Sequence, residues 1–375
     1  MLFIVVILNF KKVKSYIDME GLKRKIYFLV SSKTSIGVIE SQVILLGNFI
    51  ENNYNIDVIY VFVGDSIEFD TLSILENREF HILNKTIRIN QIKESLVYIR
   101  TADLFFKFGF QLRLKKNEII YDFRALAFKE SYYRNKKLSN KIVLYFMEMA
   151  SYLFANRICA VSNVLKDKLY KFFIIKREVF VFPCISINTN NKEVSLRVHE
   201  NLDNVIKFVY LGGLSEWQMF DRIVDLYKEF SKEYLGKSTF TIITKQSDLA
   251  RQKINKKNVK AEILSLTHSE VLEILPEFDF GFLIRKKSII NEVSSPIKLL
   301  EYISSGVLPI MSDGIGDYSC EIRLNDIGIV MDQKETISIS EIIRLYNDKL
   351  VYNRMNKFYE NYFLEKRIKQ HPLIS

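Results

Sequence analysis

Asn291-Glu-Val-Ser-Ser-Pro-Ile-Lys-Leu-Leu-Glu-Tyr-Ile-Ser-Ser-Gly-Val-Leu-Pro-Ile-Met-Ser-Asp-Gly-Ile-Gly-Asp317 reads as loop, helix, strand and loop. Ser294 or Ser295 can cap a helix whose first turn accepts Pro296, because the N–H that proline lacks would have no intrahelical partner there. Gly306 ends the helix, since glycine enters the left-handed conformation that closes many helices. Val307–Met311 is then a short apolar strand, and a glycine-containing loop, Asp313-Gly-Ile-Gly-Asp317, follows its carboxyl end. A helix that begins at a cleft presents unpaired N–H groups and a positive dipole end, which favour a phosphate. Lys298 in the first turn adds a charge, and Glu301 can accept two hydrogen bonds from a ribose diol. The competing reading is a solvated i,i+3 pair on a helix surface.

Working outward, the same alternation runs through the chain. In the second half, strands are expected at Ile206–Leu211, Thr239–Thr244, Ala261–Leu266, Phe278–Ile284, Val307–Ser312 and Gly328–Asp332, with helices at Phe220–Glu233, Ser269–Glu277 and Pro296–Ser305. In the first half, strands are expected at Ile26–Val30, Asp57–Val63, Leu96–Arg100, Glu118–Asp122, Arg157–Val161 and Glu178–Phe182. Helices are expected at Gly37–Asn52, 139–156 and Val164–Phe173. Such alternation implies parallel sheets covered on both faces, with ligands at the carboxyl ends of the strands. The expected architecture is α/β, with two Rossmann-like domains facing a central cleft. Residues 1–22 read as an N-terminal extension, 23–186 as the first domain and 187–204 as a polar linker. Residues 205–337 read as the second domain and 338–375 as C-terminal helices.

Bulk properties narrow the class. The chain has 375 residues, enough for two domains, and 48% hydrophobic residues. The apolar start, Met1–Leu8, is too short to span a bilayer, and no transmembrane helix is expected. Three scattered cysteines, Cys159, Cys184 and Cys320, fit a reducing, cytoplasmic setting and give no zinc spacing; the four histidines give none either. His268 precedes a helix and is read as a cap, with a catalytic base as the poorer alternative. The net charge of +10 fits a mildly basic surface, an anionic substrate or an anionic membrane. No nucleic-acid recognition motif is present, so nucleic acid is not an expected partner. The basic, aromatic stretch Tyr132–Lys141 precedes an apolar helix. It fits either an amphipathic membrane-surface element or a core helix with a solvated basic end.

The 291–317 segment resembles the donor-binding signature of the retaining GT-B glycosyltransferases of group 1 (family 4 type), in their capsule and lipopolysaccharide branch. The resemblance is carried by Ser295-Pro-Ile-Lys298, Glu301-Tyr302, Gly306 and Ser312-Asp-Gly-Ile-Gly316. Weaker similarity lies in Tyr210-Leu-Gly-Gly-Leu-Ser-Glu-Trp-Gln218, in Tyr121-Asp-Phe-Arg124 with Glu130, and in Ala160-Val-Ser-Asn-Val-Leu-Lys166. The resemblance implies that residues 23–186 take the acceptor and residues 205–337 the nucleotide-sugar donor. It implies Lys298 and Glu292 as catalytic groups; Arg285, at a strand end, is read as a third, supplying the charge absent at Gln218, with an exposed strand-end cation as the alternative. Gly212, Gly213, Trp217, Ser294, Ser295, Pro296, Ile297 and Glu301 become donor contacts, and Asp122, Arg124 and Glu130 acceptor-side residues. For the last three, a structural ion pair is the alternative. The family pattern has two glutamates with seven residues between them. Glu301 is the second; the first register falls on Val293, with Glu292 one residue away. Ala125 stands in place of a glycine, and Gln218 in place of a lysine.

The implied activity is transfer of a sugar from a UDP-, GDP- or other nucleoside-diphosphate sugar to a hydroxyl, with retention, without a metal or other cofactor. The implied acceptor is a glycan or lipid-linked surface polysaccharide at the inner face of the cell membrane, reached by peripheral association. A nucleotide-sugar epimerase and a non-catalytic nucleotide- or anion-binding protein are the alternatives.

Overall fold

The computed structural model describes residues 25–185 and 205–373, except 35, 55, 66, 68, 76–77, 134–136, 363 and 368–370. The expected N-terminal extension and the linker therefore lie outside the described residues.

Two parallel sheets organise the chain. The first contains β1 (Lys25–Ser31), β2 (Asp57–Val63), β3 (Phe80–Ile82), β4 (Leu96–Ile99), β5 (Glu118–Phe123), β6 (Arg157–Ala160) and β7 (Phe180–Val181), in the order β3-β2-β1-β4-β5-β6-β7. The second contains β8 (Val205–Leu211), β9 (Lys237–Ile243), β10 (Glu262–Leu264), β11 (Phe280–Leu283), β12 (Leu308–Ser312) and β13 (Ile329–Met331), in the order β10-β9-β8-β11-β12-β13. Near-continuous apolar runs such as Val58–Phe62 and Phe280–Leu283 are fully buried, as strands covered on both faces require. The strand order reverses between β1 and β4 and again between β8 and β11. Each reversal opens a crevice at the carboxyl edge of its sheet.

Most expected elements recur within a residue or two. Phe220–Glu233 and Asp57–Val63 match at both ends. Several elements were not expected, among them the helices Phe69–Ile74, Ala127–Tyr133, Ile289–Glu292 and Tyr318–Asn325, and three more show why. β3 is a short edge strand, only partly buried, and carries no apolar run. The helix over residues 102–114 contains a π turn, Phe105–Gly109, which shifts the phase of its apolar stripe. The Ser247–Lys257 helix buries only Ala250 and Ile254 and is otherwise polar. No described helix is long and apolar enough to cross a membrane.

The lobes touch. Val293, from the 291–317 segment, is buried in the core of the first lobe, with Ile289 and Ile297 packed beside it. The C-terminal helices Ile339–Tyr346 and Val351–Glu360 pack on the second lobe through Leu345, Met355 and Phe358. The chain then returns to the first lobe. Leu373 joins its core, Arg157 donates to the Pro372 carbonyl, and His371 lies against the Phe182 ring at 4.3 Å.

Candidate functional site

The crevice between β8 and β11 is built by residues whose side chains are held on several sides. Tyr302 lies beneath it. Its hydroxyl accepts from Leu211 N (3.0 Å) and donates to Phe282 O (3.3 Å), tying the ends of β8 and β11 together. A Cβ on Gly281 would fall 2.7 Å from the Tyr302 ring, so the strand passes over that ring only because it carries glycine. Beyond β8 the chain turns through Gly212, at φ +152, and Gly213. The Tyr210 hydroxyl donates to Gly213 O, and the Gln246 side chain accepts from Leu214 N at 2.7 Å. A side chain on Gly212 would meet Lys298 Nζ at 2.3 Å and Gln218 Oε1 at 2.7 Å. The glycine loop therefore lies directly beneath the lysine.

The helix that carries Lys298 runs Ile297–Ser304, and Gly306 follows it at φ +76, as the sequence implies. The expected serine cap is absent. Ser294 Oγ donates to Asn291 O at 2.8 Å, whereas Ser295 Oγ accepts from Cys184 N at 3.1 Å and donates to the Tyr318 hydroxyl at 2.9 Å. Ser295 is turned toward the first lobe, whereas Ser294 is held within its own loop and by Arg285. The first amides of the helix are left without a side-chain cap.

Arg285 reaches the same place from the end of β11. Its backbone is clamped: Ser312 Oγ accepts from Arg285 N at 2.8 Å, and Gln333 Nε2 donates to Arg285 O at 2.9 Å. Its guanidinium donates only to neutral oxygens, Asn291 Oδ1 at 3.4 Å and Ser294 Oγ at 3.3 Å. Among the described residues, neither Arg285 nor Lys298 has a carboxylate within 4 Å. Burial lowers Arg285 to about 10. Burial, then the Arg285 charge, lowers Lys298 to about 8, with Glu301 acting in the opposite direction. Two mutually repelling cations thus face a glycine loop and an uncapped helix end, which is an anion-binding arrangement.

Glu301 is buried and bonded to His268 Nε2 at 2.9 Å. That bond comes first among the causes that raise His268 above its usual pKa. The capping expectation for His268 is corrected: Thr267 caps the helix, in a reciprocal arrangement with Glu270. Thr267 is the residue before the first helical turn, and its hydroxyl reaches the Glu270 amide; His268 already lies inside the helix. Trp217 is 45% exposed at the mouth of the loop, and its carbonyl accepts from Lys286 N.

Glu292 is turned the other way, pairing with Lys168 of the first lobe at 3.1 Å. Asp317, at the end of the motif, accepts from Asn163 N (2.8 Å) and Val164 N (3.2 Å), and so caps the Asn163–Phe173 helix across the lobe boundary. Ser162 Oγ donates to Val293 O at 2.9 Å. Gly316, at φ +50, makes this possible, because a Cβ there would lie 2.0 Å from Ser294 O. A cavity of about 30 Å³, room for one water, lies at this latch between Ser162, Ser295, Asp317 and Glu321.

On the first lobe, Asp122 is wholly buried at the end of β5. Arg124 pairs with it, Arg100 Nε lies 3.7 Å away, and the Tyr98 hydroxyl donates to it. Although burial opposes ionisation, the two arginines hold Asp122 below the usual carboxylate range. Glu130 lies in the neighbouring Ala127–Tyr133 helix. That helix begins on Glu148, whose carboxylate accepts from Ala127 N and Phe128 N and which burial pushes up to about 7. Sequence spacing did not single out Tyr210, Gln246, Lys168 or Glu148, because each acts through a contact made across elements.

No family model matches the sequence, and no curated protein sequence matches it. Solved structures do resemble the fold. Sucrose-phosphate synthase from Thermosynechococcus elongatus superposes with a TM-score of 0.65 at 12% identity, covering 94% of this chain and 98% of that one. Anabaena HepE in complex with UDP and glucose gives 0.66 at 12% identity, covering 94% and 98%. The lipopolysaccharide outer core galactosyltransferase WaaB in its apo form gives 0.60 at 14% identity, covering 92% and 97%. The two parallel-sheet lobes, superposing on these proteins over most of the chain, make this a protein of the GT-B fold.

Proposed function

We propose that this protein is a glycosyltransferase that moves a sugar from a nucleoside-diphosphate sugar to a hydroxyl acceptor. The observation that carries the reading is the pair Arg285 and Lys298, two cations without an acidic partner among the described residues, facing Gly212-Gly213 and the uncapped end of the Ile297–Ser304 helix. Charge that is half-buried and has no counter-ion is costly in an apo protein, so a site that keeps two such cations is suited to an incoming polyanion. In this reading one phosphate meets the glycine amides and the other the helix end. HepE, similar in fold, is a UDP complex.

In this reading the donor diphosphate leaves toward Arg285 and Lys298, which are already in place where negative charge develops. The acceptor hydroxyl attacks from the same face, and a departing phosphate oxygen takes its proton, so the anomeric configuration is retained. The protein supplies no nucleophile, and its own cations meet the diphosphate without a metal ion being required. Glu301 receives the ribose hydroxyls, sharing its carboxylate with His268. Glu292 belongs to the lobe contact through Lys168 rather than to the sugar. The acceptor in this reading is a lipid-linked surface glycan at the inner face of the cell membrane, as in capsule or O-antigen assembly.

A donor screen by thermal shift tests the core of the reading. UDP, GDP or ADP, or one of their sugars, is expected to raise the melting temperature, because a ligand that binds only the folded state stabilises it. No shift with any nucleoside diphosphate overturns it. Product analysis with and without acceptor then separates transfer from epimerisation.

A further inference from the structure

Lys298 and Glu301 stand three residues apart on the Ile297–Ser304 helix, a spacing at which opposite charges on one helix face meet. Here they do not. Glu301 Oε1 is bonded to His268 Nε2 at 2.9 Å, and among the described residues no carboxylate lies within 4 Å of Lys298. The Glu301 side chain is only 7% exposed, so its carboxylate must find partners within the protein. Two cationic groups compete for it: the imidazole from the His268–Ile274 helix, which follows β10, and the lysine one turn back on its own helix.

Local structure gives His268 no other task. Thr267 and Glu270 already cap the helix that His268 begins, and the His268 side chain is 41% exposed, so it fills no core. Its Nδ1 has no hydrogen-bond partner among the described residues. The charges around the two competitors are few. The Glu301 bond, against burial, raises His268 above its usual pKa, and the charges of Glu301 and of Glu40 from the first lobe add to it. Burial, then Arg285 from the end of β11, lowers Lys298, and Glu301 opposes both. The Tyr210 hydroxyl, near the same glycine loop, is engaged with Gly213 O and Gln218 Oε1. His268 is thus the partner that is held toward its charged form, and a charge-assisted bond to a carboxylate is among the stronger ones.

We propose that His268 is a positioning residue of the anion site: by holding Glu301 it keeps that carboxylate from turning onto Lys298, and so leaves the lysine free for a phosphate. Without the imidazole, the nearest answer to the Glu301 charge is the cation on its own helix face, and an internal ion pair then occupies the place of the ligand. Loss of His268 therefore weakens even a ligand that has no ribose, which loss of a residue that merely shaped a ribose pocket does not do. The phosphate rests on the reading of Arg285 and Lys298 as a diphosphate site; the ion pair that His268 prevents does not.

Calorimetry on the full chain with inorganic pyrophosphate, and in parallel with UDP, GDP and ADP, tests this. H268A is expected to bind pyrophosphate about tenfold more weakly than wild type, the worth of one charge-assisted contact. H268Q, whose amide can still donate to Glu301, is expected to bind as wild type does. H268A/E301Q is expected to recover the lost affinity, because no carboxylate is left to compete. The pH profile carries a second signature. Lys298 is lowered to about 8 in the wild-type protein, and a carboxylate turned onto it raises it. Compared with wild type at each pH, the fall in affinity on the alkaline side is expected to move to higher pH in H268A and to return in the double variant. Pyrophosphate binding by H268A at wild-type strength overturns the proposal. So does a double variant as weak as H268A, since the defect is then one of packing. If the alanine variant does not fold, H268L, which keeps the bulk, takes its place in each comparison. Wild type that binds pyrophosphate but gains nothing from an attached nucleoside counts against the nucleotide reading and leaves the role of His268 in place. Wild type that binds neither overturns both.

Discussion

The two lobes place arginines at equivalent edges of similar sheets and treat their charge in opposite ways. In the first lobe, Arg100 and Arg124 converge on Asp122, which is wholly buried and also receives the Tyr98 hydroxyl. In the second lobe, Arg285 and Lys298 converge on no acid among the described residues, and both have lowered pKa values. A buried cation needs either a permanent counter-charge or a visiting one. The first lobe carries its own, so its cluster holds structure together. The second leaves the charge open, so its cluster is suited to bind. The observed Asp122–Arg124 pair is the ion-pair arrangement given as the alternative to an acceptor-side role, with the carboxylate buried.

The largest way to break this contrast is to remove the counter-charge. Asp122→Ala leaves two arginines buried and unpaired, and a loss of about 3–5 kcal/mol of stability is expected by chemical denaturation. A loss below about 1 kcal/mol would mean that the pair is not structural.

Lys298→Met does the opposite in the other lobe. It removes a repelled cation, so the unliganded melting temperature is expected to hold or rise. Nucleoside-diphosphate affinity should fall about tenfold to a hundredfold, the worth of one charge-assisted bond. Unchanged affinity with lowered stability would place Lys298 with the first-lobe arginines instead.

The pH dependence sharpens the same point. Lys298 is lowered to about 8, below its unfolded value. The folded apo protein therefore releases this proton first, and the cost of burying the charge is present below about 8 and relieved as pH rises above it. Ligand binding runs the other way. Above about pH 8 the nucleotide must recover the proton, and affinity should fall by up to about tenfold per pH unit. A flat calorimetric affinity from pH 7 to 9.5 would show that Lys298 does not meet the phosphate.

Smallest is Glu292→Gln. The pair with Lys168 is partly exposed, so less than about 1 kcal/mol of stability is expected to be lost. Turnover should change little. A large fall in turnover with unchanged folding would return Glu292 to the sugar.

Much of this was legible in the sequence. Apolar runs such as Val58–Phe62 could only be strands covered on both faces, and Phe220–Glu233 showed its helical stripe directly. The helix start at Pro296, the stop at Gly306 and the side chains Lys298 and Glu301 also followed from local chemistry. The failures have two causes. Ser294 and Ser295 are good caps by type, but the first lobe claims Ser295 and the Asn291 carbonyl claims Ser294. The π turn at Phe105–Gly109 hid a helix by shifting its phase.

The sequence by itself determined the alternation, the two sheets and the helix bounded by Pro296 and Gly306, because these depend on periodicity and on neighbours a few residues away. Only the tertiary structure decided which charges are answered. Asp122 meets Arg100, Glu292 meets Lys168 and Glu301 meets His268 across separations that no spacing rule encodes, whereas Arg285 and Lys298 meet no acid among the described residues. Charge compensation is a short-range, three-dimensional property, and that is why the partners of these side chains became visible only in the folded structure.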